Sequence, residues 1–216
     1  MSEPSEAAVA TPPAGQQKPK RRLLRRPQRR EQILLTATRA FANAGFAATS
    51  LEDVAAEAGI SRDVLYRHFD SKAELYRAVL QRAQDRLVDA TGSPAFTDSS
   101  LDALLSAAAA EPAGFHLLFH HAAREPEFRK EIDELRASMF EVTYGHLADV
   151  IPDPAWARWA STLVPTVAVE GVIAWLDAGQ PDRTIAAQRI GLAVGGVVEA
   201  ARSAAGEVAA LPPECG

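Results

Sequence analysis

The sequence predicts an all-α protein: a three-helix N-terminal unit containing a helix-turn-helix, then a larger helical domain, with about nine helices in total. Three observations carry this expectation. Ala-rich segments with few β-branched runs fill a chain that is 47% apolar. Apolar residues recur at three- and four-residue spacings in one segment after another. Between Thr49 and Leu75, two short amphipathic stretches flank a Gly-centred break.

The first 17 residues are small, Pro-containing and aperiodic, which reads as disorder. Lys18 to Arg30 then holds eight basic residues interrupted by Leu23, Leu24 and two prolines. Arg21, Arg22, Arg25 and Arg26 make this run, within residues 1–26, a candidate arm for a phosphate backbone or minor groove. A solvated tail is the alternative. A first folded helix is expected from Pro27 or Gln28 to Ala44, with Ile33, Ala37, Ala40, Phe41 and Ala44 inward and Gly45 as its stop.

The next stretch, TSLEDVAAEAGISRDVLYRHFDSKAEL, is the most informative. Leu51, Val54, Ala55 and Ala58 form one apolar side, with Thr49 or Ser50 as N-cap and Asp53 completing a capping box. Gly59 permits the sharp reversal, and Ser61 opens the following helix. There Leu65 and Phe69 point inward, which turns Asp63 and Arg67 outward with Val64 and Tyr66 beside them. Ser71 and Glu74 cap a further helix starting at Lys72 and reaching about Thr91.

Thr49, Val54, Ala55, Ala58, Gly59, Ile60, Ser61, Leu65, Tyr66, His68, Phe69, Ser71 and Lys72 stand in the order and spacing of a known pattern. On these residues, about a quarter of the chain, it strongly resembles the DNA-binding domain of the TetR family of bacterial transcriptional regulators. The resemblance implies double-stranded operator DNA as a partner. It places Thr49, Tyr66, His68 and Lys72 on phosphates and Ser50, Ser61, Arg62, Asp63, Val64 and Arg67 in the same interface. Asp63 and Val64 depart from the family pattern, in which Gly, Ala or Pro and then Thr or Ser are usual. A carboxylate facing DNA is tolerated if Asp63 accepts from a cytosine amino group, braces Arg67, or lies off the interface.

Charge division agrees with a nucleic-acid partner. The net charge is −5, yet residues 18–77 hold 13 Lys/Arg against 7 Asp/Glu, while residues 78–216 hold 10 against 19. A basic first domain suits phosphate, and an acidic second one is repelled from the duplex. No apolar run approaches the roughly 20 residues of a membrane span. An apolar signal segment is also lacking, and the single Cys215 leaves no internal disulfide. A cytoplasmic setting without membrane contact is expected.

Residues 27–72 are thus assigned to the reader, 73–206 to a second helical domain and 207–216 to a tail. Helices are expected around Leu101 to Ala108 and from Pro112 through Phe115, Leu118, Phe119 and Ala122. Another carries Phe128, Ile132, Leu135, Met139 and Val142. The last two run from Pro154 to about Ala178, interrupted by Pro165, and from Asp182 to about Ala205. The family resemblance implies a homodimer formed by these last two helices, with Val167, Gly171, Ala174, Leu192, Gly195 and Val198 at the interface. It also implies a small-molecule effector cavity, for which Phe115, Phe119, Met139, Phe140, Tyr144 and Trp175 are candidates. The same side chains suit a solid core equally well.

Neither a Gly-rich phosphate loop nor a Gly-x-Ser-x-Gly elbow occurs, so no enzyme and no cofactor are expected. His116 and His120 lie one turn apart, but His121 points about 100° from His120 and no third ligand is placed by spacing, so no metal site is expected. The leading reading is a repressor released from a palindromic operator by a small apolar effector. An effector-independent DNA-binding or architectural protein whose second domain only dimerises is the alternative.

Overall fold

The computed structural model describes residues 25–91 and 98–203, so the first 17 residues, Arg21, Arg22 and the 207–216 tail lie outside it. Nine α-helices occur among the described residues. They are α1 (Arg26–Ala48), α2 (Leu51–Glu57), α3 (Arg62–Tyr66), α4 (Lys72–Thr91), α5 (Asp98–Ala110), α6 (Pro112–His116), α7 (Arg129–Leu147), α8 (Pro154–Asp177) and α9 (Arg183–Arg202). A π-helical turn, Leu117–His121, and two 3-10 turns, Ala122–Arg124 and Pro126–Phe128, join α6 to α7.

The start of α1 differs from expectation. Arg26, counted with the arm, is its first residue, and the backbone N–H of Arg25 donates to Gln28 Oε1 at 3.1 Å. Gly45 does break the helical path, at φ 80 and ψ 168, before a last short stretch to Ala48. Ala44, expected inside, is exposed, and Leu34 and Thr38 are buried instead.

One apolar cluster joins the reader to the second domain across the 72/73 boundary drawn from sequence. Ile33, Phe41, Leu65, Phe69 and Tyr76 share it with Leu117, Phe128 and Leu135. Its centre is aromatic: Tyr76 meets Phe41 edge-on at 4.9 Å between centroids and tilts against Phe128 at 4.3 Å. The Tyr76 hydroxyl is buried there without a hydrogen-bond partner among the described residues, and burial holds its pKa far above the ordinary phenol range. An unmet hydroxyl costs about 1–3 kcal/mol. Tyr76→Phe is therefore expected to raise the melting temperature by a few degrees, and thermal unfolding that shows a decrease would mean the hydroxyl has a partner.

A second cluster holds α5, α6, α8 and α9 together through Leu105, Phe115, Val172, Trp175 and Ile190. The π-turn admits one extra residue into its loop and so rotates the following side chains. Leu117 and Leu118, at its start, are both buried. On α7 the stripe ends differently from expectation. Val142 is exposed, and Thr143 is buried with its hydroxyl donating to the Met139 carbonyl at 2.8 Å.

Helix α8 runs through Pro165 unbroken, contrary to the expected interruption. Pro165 still supplies no N–H, so the Ser161 carbonyl lacks its usual helical donor. By length and composition α8 is apolar enough to cross a membrane, which the sequence reading had not anticipated, but 56% of that stretch is buried against the rest of the protein. Its main partners are α9 and α7, with α5 and α6 also in contact.

Candidate nucleic-acid interface and the cavities behind it

The start of α2 and the turn between α2 and α3 are each fixed by short-range contacts. The Ser50 hydroxyl accepts from the Asp53 N–H at 3.0 Å, while Asp53 Oδ2 accepts from the Ser50 hydroxyl at 2.6 Å and its N–H at 3.3 Å. Gly59 sits at φ 64, where an L side chain would be strained. Gln32 of α1 donates from Nε2 to the Ala58 carbonyl at 2.9 Å, tying the turn to the first helix. Ser61 does precede α3, but its hydroxyl makes no capping bond.

Leu65 and Phe69 are buried, anchoring α3 on α1 and α2. Ser61, Arg62, Asp63, Tyr66 and Arg67 are thereby left exposed, with Val64 and His68 half-buried. The N-terminal turns of α1 lie close by. Arg30 stacks over the Phe69 ring at 5.1 Å, and His68 lies in the field of Arg26, Arg30, Arg67 and Arg29. Burial first and then these cations push the His68 pKa down, so the ring is neutral near pH 7. Arg25 and Arg26, exposed at the head of α1, extend the basic patch.

The Asp63–Arg67 brace, one of the three placements open to Asp63 from sequence, is not formed: neither residue enters an ion pair among the described residues. The bracing falls on Arg62, whose Nε meets Glu52 Oε1 at 3.0 Å and whose Nη2 donates to the Tyr66 hydroxyl at 3.2 Å. Sequence reasoning missed Glu52, although the four-residue spacing of Arg62 and Tyr66 signals that their side chains meet.

Two of the residues placed on phosphates by resemblance are engaged within the fold. Thr49 is buried, and its hydroxyl donates to the Gly45 carbonyl at 2.8 Å, which closes the kink of α1. The Lys72 ammonium donates to the carbonyls of Phe46 at 2.8 Å and Ala47 at 3.2 Å and lies 4.4 Å from the Phe46 ring centre. One N–H of Lys72 remains for another acceptor. Lys72→Ala is accordingly expected to lower stability by about 1 kcal/mol as well as flatten the salt dependence of DNA binding by about one counterion. A melting curve with a salt series tests both, and a changed sequence preference at an unchanged salt slope would exclude the phosphate role.

Behind the reader, Arg82 of α4 is a buried cation between two elements. It contacts Glu31 of α1 at 2.6 Å and Glu111 at the head of α6, and Arg86 joins Glu111 at 3.3 Å. Sequence periodicity gave no sign of this link, because a single Arg on a helix reads as solvated.

A cavity of about 380 Å³ opens between the π-turn, α7 and α8. Of the expected lining residues, Phe119, Met139 and Phe140 border it; Phe115 borders a second cavity of about 270 Å³ between α4, α5 and α6. Tyr144 and Trp175 border neither, since Tyr144 stacks on Phe140 and the Trp175 indole donates to the Pro181 carbonyl at 2.7 Å. The larger cavity also has polar walls that were missed: Arg136, Ser161, Thr162, Thr166 and Glu170. His116 and His120 each meet a carboxylate of α8, Asp177 at 3.4 Å and Glu170 at 3.5 Å.

The candidate dimer residues divide as well. Leu192 is 78% exposed, Ala174 and Gly195 are exposed, and Val167 and Val198 are half-buried. Gly171 belongs inside the chain: a Cβ there would lie 2.9 Å from Ile190 Cγ1, so the missing side chain allows α8 and α9 to approach.

A three-helix reader with a capped, Gly-centred turn and an exposed basic face is a helix-turn-helix domain of the DNA-binding class. Residues 33–79 match the family described as "Bacterial regulatory proteins, tetR family". That match places the reader domain, residues 33–79, with the TetR family. It is 49% identical over 65 residues to the transcriptional activator FasR of Mycolicibacterium smegmatis, a match covering 30% of each chain. The repressor SCO4008 of Streptomyces coelicolor is 27% identical over 148 residues, covering 59% of this chain and 76% of that protein. A TetR-like regulator from Rhodococcus sp. RHA1 shares the fold at a TM-score of 0.69 and 22% identity, over 82% of this chain and 97% of that one. The match to FasR thus spans less than a third of that relative's length.

Proposed function

We propose that the chain is a sequence-specific DNA-binding transcriptional regulator, acting as a dimeric repressor that a small apolar effector releases from a palindromic operator. The observation that carries this reading is the exposed face of α3, with Arg62, Tyr66 and Arg67 beside the arginines at the head of α1. Phosphate contacts from that patch position the domain, and side chains of α3 read bases. Two readers related by two-fold symmetry fit half-sites about 34–36 Å apart.

The cavity between α7 and α8 supports the effector. Its apolar walls, Leu118, Phe119, Leu135 and Met139, suit a hydrophobic body, and the hydroxyls and charges near Thr166 and Glu170 suit one polar end. Release requires the effector to favour the conformation that does not bind the operator. The Arg82 link ties α1 of the reader to Glu111 at the head of α6, a residue that borders the smaller cavity.

Selection of duplexes from a randomised pool, followed by a release screen with small amphipathic compounds, tests the proposal. A palindromic enriched sequence and at least one releasing compound are expected. Absence of any enriched sequence would overturn the regulator reading, and enrichment without release would leave a second domain that only dimerises.

A further inference from the structure

The geometry of Glu52 points to a specificity role for a residue that itself carries the wrong charge for DNA; the inference rests on the DNA-binding reading above. Arg62 is the first residue of α3 and its side chain is largely exposed. An unrestrained arginine there would sample many rotamers and contact any phosphate within reach. Here it is held on two sides: Glu52 Oε1 takes its Nε at 3.0 Å, and the Tyr66 hydroxyl takes Nη2 at 3.2 Å. The guanidinium carbon also lies 5.1 Å from the centre of the Tyr66 ring.

A guanidinium has five N–H donors. Two are occupied, which leaves both donors of Nη1 and one of Nη2. That is enough for the two-donor match to O6 and N7 of a guanine in the major groove. We infer that Glu52 is a positioning residue for base readout: it fixes Arg62 so that its free donors meet a guanine edge instead of wandering onto phosphates. Glu52 is on α2 and Arg62 on α3, so the turn geometry set by Gly59 becomes part of the reading device. Asp53, the neighbouring carboxylate, is occupied with Ser50 and plays no part.

The charge of Glu52 makes the inference sharp. A carboxylate on the DNA-facing side repels phosphate, so removing it raises affinity for any duplex. A positioning role gives the opposite result for the cognate sequence relative to others. Fixing Arg62 also lowers the entropy lost when its donors engage a base.

The test uses full-length protein, the duplex it enriches from a random pool, and a shuffled duplex of equal composition. Affinities for both are measured at one salt concentration for wild type, Glu52→Ala, Glu52→Gln, Arg62→Ala and the Glu52→Ala/Arg62→Ala double variant. Glu52→Ala is expected to bind the shuffled duplex more tightly and to lose about tenfold in the enriched-to-shuffled ratio, the size of one two-donor base contact. Glu52→Gln keeps an acceptor for Nε and should retain much of the ratio. The double variant should lose no more than Arg62→Ala alone, because Glu52 acts through Arg62.

A ratio undiminished in Glu52→Ala, or a further equal loss when Glu52→Ala is added to Arg62→Ala, would overturn the inference while leaving the regulator reading intact. Failure of the wild type to enrich any sequence would overturn both. Unchanged circular dichroism and melting of Glu52→Ala separate lost positioning from lost folding.

Discussion

Arg82→Ala should lower the melting temperature by about 6–12 °C, a loss of about 3 kcal/mol in a chain of this size. Arg82 is the one buried charged residue among the described residues, and both its carboxylate partners come from outside α4. Removing it leaves Glu111 at the buried head of α6 facing only Arg86, at 3.3 Å. A carboxylate with little access to water, left with one half-exposed counter-charge instead of two, is the main source of the loss. Glu31 is half-exposed and relaxes into solvent, which is why the lower end of the range for broken buried pairs applies.

The same link has a pH signature. The hydrogen bond from Arg82 holds the Glu31 pKa below its ordinary value, with further help from the charges of Arg82 and Arg86. A carboxylate whose folded pKa is depressed adds stability that is present above its unfolded pKa, near 4.5, and disappears as pH falls through the folded value. Wild type should therefore lose stability on acidification below about pH 4.5 more steeply than Arg82→Ala, and the two melting temperatures should converge in acid. Arg82→Met combined with Glu111→Leu should recover most of the loss, since an apolar pair of similar volume needs no counter-charge. A melting temperature of Arg82→Ala within about 2 °C of wild type would show that Glu111 finds other partners and that the link is not structural.

The reader was legible because its signals are local. Ser50 and Asp53 cap within three residues, Gly59 needs no partner to take a positive φ, and Leu65 and Phe69 mark the buried side by spacing alone. What escaped was whatever depends on residues distant in sequence. The engagement of Thr49 with Gly45 and of Lys72 with Phe46 follows from the kink in α1, which a glycine predicts without saying which side chains will close it. Arg82 meets Glu31 across 51 positions, and no periodicity encodes such a meeting. The π-turn escaped for a different reason: nothing in Leu117 to His121 distinguishes it from an ordinary helix. Tyr144 and Trp175 look like cavity aromatics in sequence, but contacts with Phe140 and Pro181 occupy them.

In the dimeric repressor proposed above, Leu192→Asp is expected to yield a monomer and abolish tight operator binding. Leu192 is 78% exposed, the most exposed of the large apolar side chains, and it lies on α9 with Ile185, 45% exposed, two turns before it. Gly195 and Gly196 follow one turn later, and a Cβ built at either meets nothing within 4 Å. That bare stripe is available to a second copy, whereas the opposite side of α9 is occupied: Ile190 packs on Gly171 of α8. In a two-fold interface each residue acts twice, so one substitution buries two carboxylates. Each costs several kcal/mol when desolvated without a partner, which weakens association on the order of 1,000-fold or more. Paired half-site binding disappears with it, leaving the weak affinity of a single reader domain. Val88→Asp serves as the control, since Val88 is 59% exposed on α4 and a charge there should leave the dimer unaffected. Sedimentation equilibrium of both variants, with affinity for the enriched duplex, decides the matter. A Leu192→Asp protein that remains dimeric at micromolar concentration and still holds its operator would move the interface off the α9 stripe, whereas dissociation by Val88→Asp alone would place it on α4.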